Sequence, residues 1–150
     1  MIHLDTNYLI GLVVRGSAPA VAVDKWLAAG ESMATSAVAW SEFLNGPVTP
    51  VEISRVGAVI QSRIIPFGPV EAVLAADLFN KTGRRRGSRF DCFIAATAIL
   101  ANAGVATANQ SDFKAFLSHG LKLISLPSHS VSKRRLNPRR AEGKRNGLGE

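Results

Sequence analysis

The sequence predicts an α/β fold: one domain built on a parallel sheet of about five strands flanked by helices, with a basic C-terminal tail. Three observations predict it. Short apolar runs of strand length alternate with longer helical segments, the pattern of a parallel sheet covered on both faces. A length of 150 residues with 47% hydrophobic content suits a single domain with its own core. The segment 90–104 is apolar nearly all round, as a central helix must be. The globular part is expected over 1–126 and the tail over 127–150, and no internal repeat is visible.

The elements follow in order. "MIHLD" reads as the first strand, and "APAVAVDKWLAAG" as a helix closed by Gly30. "SMAT" is a second, short strand. Ser36 can cap the helix "AVAWSEFLN", which Gly46-Pro47 stops. "PVEISRVGAVIQSR" opens with Pro50 in a favourable first-turn position, with Glu52 at the positive end of the helix. "IIPF" is the third strand and "PVEAVLAADLFNKTG" the next amphipathic helix. After the basic loop "RRRGSR", "FDCFIAATAILANAG" is a helix expected to end at Gly104. "VAT" is the fourth strand, "DFKAFLSHG" a short helix and "LKLISL" the fifth strand.

Charge is unevenly spread. From Lys133 on the chain carries seven Lys/Arg against two Glu, so +5 of the net +7 lies there. Such a stretch, almost without apolar residues, is expected to be disordered when free. It is either a solubilising end or an arm that binds polyanions; charge alone argues for affinity, not for an activity. The one cysteine, Cys92, excludes an internal disulfide framework and suits a reducing cytosol. Met1 leads directly into a strand pattern, so no secretory leader is expected, and "FIAATAILANAGVATA" is too short and too weakly apolar for a membrane span. A cytoplasmic protein with no membrane partner is expected.

In a parallel α/β sheet, ligands bind outside the carboxyl ends of the strands. Asp5 ends the first strand, and Asp112 follows the fourth within a few residues. Asp91 lies in the first turn of the helix feeding that strand, in register with Ile94, Ala95 and Ala98. Glu42 lies about a turn and a half into the helix after the second strand. Each acid alone has an ordinary explanation: an Asx turn for Asp5, a helix cap for Asp91 and Asp112, a solvated helix position for Glu42. Four acids from four segments at one edge have a different one. Like charges so placed raise one another's pKa unless a cation sits among them. Oxygen ligands without a matched Cys/His set suit one or two Mg²⁺ or Mn²⁺ ions rather than structural zinc. Such ions can activate water against a phosphodiester.

"IHLDTNYLI", "SAVAWSEFLNG", "FDCFIAATAILANAG" and "VATANQSDF" resemble, in order and approximate spacing, the four motifs of the PIN domain. The similarity is closest to VapC-type toxins of bacterial toxin–antitoxin pairs and covers about residues 1–126. The resemblance implies a metal-dependent endoribonuclease leaving 5′-phosphate and 3′-hydroxyl ends. Its catalytic and metal-binding acids would be Asp5, Glu42, Asp91 and Asp112. Thr6 and Asn7 match the polar pair after the first acid, and Thr107 and Asn109 the Thr-x-Asn of the last motif, a supporting polar shell. The resemblance also implies a cognate antitoxin that inserts a basic residue into the acidic cleft, and a homodimer through the apolar helices near 37–62. Ala108 stands where the family often has a basic residue, which removes one contact to substrate.

Other features have a place in this reading. "KTGRRRGSR" precedes Asp91, and Arg84, Arg85, Arg86 and Arg89 could give forked contacts to RNA phosphates. Trp26 and Trp40 are expected in the core or an interface, His3 as a packed strand residue and Cys92 facing the core. His119 and His129 have no identifiable partner. No glycine-rich phosphate loop follows the first strand, which disfavours nucleotide-cofactor chemistry. A phosphoacceptor aspartate is disfavoured because Asn7 stands where a phosphatase-like pattern wants a second Asp. The alternative is a catalytically silent nucleic-acid-binding or regulatory PIN module, and composition does not separate RNA from DNA.

Overall fold

The computed structural model describes residues 1–84 and 86–125. Its elements are β1 (Ile2–Leu4), α1 (Thr6–Val13), α2 (Ala18–Ala28), β2 (Met33–Ser36), α3 (Ala37–Leu44), α4 (Pro50–Val59), β3 (Ile64–Ile65), α5 (Pro69–Lys81), α6 (Arg89–Leu100), β4 (Gly104–Ala106), α7 (Gln110–Phe113), a 3₁₀ turn (Lys114–His119) and β5 (Lys122–Leu123). The five strands form one sheet in the order β3-β2-β1-β4-β5, and every pairing is parallel. Strand β1 is central and its three residues are all buried, which is why it reads as an unbroken apolar run rather than an alternation.

Local chemistry sets most of the boundaries. Ser17, Ser36 and Thr49 cap α2, α3 and α4 by accepting from the backbone N–H groups of Ala20, Ala39 and Glu52. Glu52 returns the bond to the Thr49 N–H at 2.7 Å, completing a capping box with Pro50 in the first turn. Gly30 follows α2 at φ +83°, the left-handed conformation glycine adopts without strain. The core joins Leu4, Leu9, Phe43, Ile94 and Val105 from sheet and helices. Removing a side chain of this size from water stabilises the fold by roughly 2 kcal/mol.

Several elements depart from the sequence reading; α7 begins at Gln110 rather than Asp112 and gives way to the 3₁₀ turn, and β3 is only Ile64–Ile65. Helix α1 was not anticipated, because Thr6–Val13 is short and continues the apolar run of β1. Its Gly11 lets α2 approach closely: a Cβ there would lie 2.5 Å from the Pro19 ring. The helix expected to run to Gly104 ends at Leu100, the chain turns through Asn102 at φ +50°, and Gly104 opens β4 opposite Ile2 and Lys122. A Cβ on Gly104 would run into the Ile124 side chain, 2.8 Å from its Cγ1. The glycine is a sheet residue under a close approach, not a helix stop. Strand β5 is also shorter than expected. The expected tail, 127–150, lies outside the described residues, as does Leu126. Among the described residues, no helix is long and apolar enough to cross a membrane.

Candidate active site

Sheet order places the site. From β1 the chain goes outward to β2 and β3, then returns to the other side of β1 for β4 and β5. The crevice between the carboxyl ends of β1 and β4 is therefore the point where strand order reverses, the usual ligand position in an open α/β sheet. Asp5 and Thr107 are the first residues past those two ends. The Asp5 backbone N–H donates to the Ala106 carbonyl at 3.1 Å, and Thr107 Oγ1 donates to Asp5 Oδ2 at 2.7 Å. Asn7 Nδ2 donates to the same Oδ2 at 2.8 Å, and the Thr6 N–H donates to Oδ1 at 2.8 Å. Asp5 thus caps α1 while standing at the end of β1.

Asp5 is only 5% exposed. Burial pushes its carboxyl above the ordinary range, and the neighbouring Glu42 adds to the rise. The bonds from Thr107, Thr6 and Asn7 oppose it. Asn7 is itself held by the Ala108 N–H, which donates to its Oδ1 at 2.9 Å, and the Asn109 N–H donates to Thr107 Oγ1 at 3.0 Å. Position 108 therefore contributes through its backbone, a role its side-chain identity does not reveal.

Glu42, half-buried on α3, accepts from Thr6 Oγ1 at 2.6 Å. The structure so brings together Asp5, Thr6, Asn7, Glu42, Thr107 and Asn109. Asp91 is half-buried in the first turn of α6, and Asp112 is half-buried in α7. Helix α6 packs against both α3 and α7. Among the described residues, no three Asp, Glu, His or Cys side chains stand together closely enough to hold a metal ion. The donors themselves are carboxylate and hydroxyl oxygens, the kind a hard divalent cation takes. A cation beside Asp5 would also favour the charged form that burial disfavours.

The remaining candidates are spread around this edge. Arg84, Arg86 and Arg89 are exposed at the α5–α6 junction, while Arg85 lies outside the described residues. Trp26 stacks on Tyr8 at 5.9 Å between ring centroids and Trp40 packs on Phe43 at 5.2 Å, both as packing residues. Cys92 is fully buried, and that burial pushes its thiol up, away from a reactive thiolate. His3 is fully buried on β1 with no hydrogen-bond partner at either ring nitrogen among the described residues. His119 is half-buried, and His129 lies outside the described residues. Sequence reasoning passed over Phe90. With Val38, Phe67 and Phe93 it lines a cavity of about 360 Å³ that Glu42 also borders. The available signal was an aromatic residue between Arg89 of the basic loop and the acid Asp91.

The fold recurs in solved structures. A structure of FitAB bound to an IR36 DNA fragment matches with a TM-score of 0.64 and 24% identity, over 86% of this chain and 99% of that one. A toxin–antitoxin complex from Klebsiella pneumoniae matches at 0.62 and 24%, over 76% and 91%. VapBC2 from Rickettsia felis, bound to a DNA fragment from its promoter, matches at 0.60 and 23%, over 83% and 98%. No curated protein sequence matches the chain. The family model for the PIN domain matches residues 2–116, which contain the whole Asp5–Glu42–Thr107 arrangement. By that match and by its parallel sheet, the chain belongs to the PIN-domain family.

Proposed function

We propose that this protein is a metal-dependent endoribonuclease and the toxin of a VapBC-type toxin–antitoxin pair, its nuclease domain spanning 1–126. The observation that carries the reading is the buried Asp5 carboxylate, held by three donors at the switch point of the sheet with Glu42 beside it. Asp5, Glu42, Asp91 and Asp112 would hold one or two Mg²⁺ or Mn²⁺ ions. When bound, such an ion supplies charge neutralisation at the phosphodiester and activation of water.

The chain's own part is positioning. Thr107 and Asn7 keep Asp5 Oδ2 at a set direction, and Thr6 joins the Asp5 segment to Glu42. Burial removes competing water from Asp5, which strengthens any charge interaction made there. The antitoxin partner is supported by the likeness to toxin–antitoxin complexes. A homodimer through α3 and α4 is supported by the exposed Leu44 and Val51, the latter 75% exposed. A cytoplasmic location accords with the single buried cysteine.

A second reading has one specific observation in its favour. Arg84, Arg86 and Arg89 are exposed together at the α5–α6 junction, as fits a PIN module that binds nucleic acid without cutting it. RNA cleavage by antitoxin-free protein in Mg²⁺, Mn²⁺ and EDTA, with Asp5→Asn alongside, separates the two. Cleavage that needs metal and disappears with Asp5→Asn supports the ribonuclease. A folded protein that binds structured RNA and leaves it intact in both metals supports the silent module.

A further inference from the structure

Between α5 and α6 lies a cavity of about 530 Å³ lined by Phe79, Arg84, Arg86, Gly87, Arg89 and Phe90. Among the described residues the ion pairs are Met1 with Glu31 and Lys81 with Asp77, and neither uses these arginines. Arg84 Nε donates to Asn80 Oδ1 at 3.0 Å, which orients the guanidinium and leaves its other nitrogens for a ligand. Arg89 lies 5.6 Å from the centre of the Phe79 ring, a cation–π contact that keeps it at the cavity wall.

Phe90 is the second half of the arrangement. It is 53% exposed, in the first turn of α6. It meets Phe93 edge-on at 5.9 Å, which fixes the ring while leaving a face open. Phe90 borders both this basic cavity and the smaller one beside Glu42. A single aromatic ring is therefore common to the cavity that Glu42 borders and the one the arginines line.

Arginine forks match phosphate oxygens, and an exposed aromatic face matches a base that is not paired in a duplex. Alternating phosphate and base on neighbouring positions is the chemistry of a single-stranded nucleic acid. We propose that Arg84, Arg86 and Phe90 form a subsite for one unpaired nucleotide of the RNA substrate, flanking the bond to be cut. The base stacks on Phe90, and its phosphate is held by Arg84 and Arg86. Arg89, engaged with Phe79, is a positioning residue. The identity of the polymer rests on the ribonuclease reading above; the subsite itself is a binding device and performs no step of the reaction.

The test is fluorescence anisotropy of a short, labelled, single-stranded RNA with the full chain across a salt series. Wild type is compared with R84Q/R86Q, Phe90→Leu and Phe90→Trp, with circular dichroism to establish folding. R84Q/R86Q should weaken binding about tenfold and lower the slope of log affinity on log salt by about 0.7, one phosphate contact on a single strand. Phe90→Leu should weaken binding about tenfold with an unchanged slope, and Phe90→Trp should retain it, as stacking requires. Cleavage in Mg²⁺ or Mn²⁺, measured in parallel, should show KM raised and kcat kept for R84Q/R86Q.

Folded variants that bind and cleave like wild type would overturn the subsite and leave the ribonuclease standing. The expected binding pattern without cleavage by any form would uphold the subsite and remove the ribonuclease. Loss of binding to a poly-glutamate peptide with RNA binding intact would also overturn it, reassigning the arginines to a protein partner.

Discussion

Thr107 Oγ1 donates to Asp5 Oδ2 at 2.7 Å, joining the ends of β4 and β1 across the crevice where strand order reverses. The two residues are 102 positions apart. A bond to a charged acceptor of this kind contributes about 1.5–3 kcal/mol. Thr107→Val keeps the shape and removes the donor, so the Asp5 carboxyl, already raised by burial, should rise further. The acid limb of the pH profile of kcat/KM should move up by about one to two pH units, and Thr107→Ser should restore it. An unmoved limb in an active Thr107→Val enzyme would remove Thr107 from the site.

Asp5→Asn should abolish cleavage while the protein still folds, since it removes a charge and changes little volume. The pH dependence of stability gives an independent check in chelator. A folded-state carboxyl raised above its unfolded value of 3.8 binds its proton more tightly in the native protein. Its contribution to stability is therefore lost as pH rises from about 3.8 through the raised value. The difference in Tm should shift in favour of Asp5→Asn over that window. A difference independent of pH would mean that Asp5 ionises as it does in the unfolded chain.

His3 should act in the opposite sense. Burial lowers its pKa from 6.5 to about 4, so the native state refuses a proton the unfolded chain accepts. Stability should be full above pH 6.5 and fall by roughly 3 kcal/mol as pH drops from 6.5 to about 4. His3→Leu should flatten urea midpoints across that window, and it leaves no unpaired ring nitrogens buried in the sheet. Equal acid sensitivity in the variant would place the effect on other groups.

Gly104→Ala should destabilise by about 1–3 kcal/mol, the usual cost of forcing a methyl into a packed interior. The clash is with the end of the Ile124 side chain, while the nearest backbone atom, the Lys122 carbonyl oxygen, is 3.8 Å away. Ile124→Ala in the same chain should therefore cost less than it does alone. Strictly additive urea-unfolding free energies across the double-mutant cycle would show that the two residues do not meet.

The strand–helix alternation, the Ser36 cap and the placement of Asp5 at a strand end were all legible in the sequence. These features follow from interactions within a few residues of one another. Thr6–Val13 was not legible as a helix because its apolar run continues that of β1 without a break in pattern. Its signal was the Asp5-Thr6-Asn7 cap, readable equally as an Asx turn. Gly104 looked like a helix stop because a glycine after an apolar helix usually is one. Its close neighbour, Ile124, lies in the segment after β5, beyond local reach. The polar residues Thr6, Asn7, Thr107 and Asn109 were legible only through family resemblance, and their mutual bonds are a property of the fold.

By itself, then, the sequence determined the fold class, the parallel sense of the strands and the place of Asp5 at a strand end, because periodicity and capping act over a turn or less. Tertiary structure alone decided the order β3-β2-β1-β4-β5 and with it the meeting of Asp5 with Thr107 and of Thr6 with Glu42. Parallel strands pair through hydrogen bonds between segments far apart in the chain, and burying both faces of β1 places its end beside that of β4. The same packing makes Phe90 common to the cavity that Glu42 borders and the one the arginines line, a relationship that no spacing in the sequence encodes.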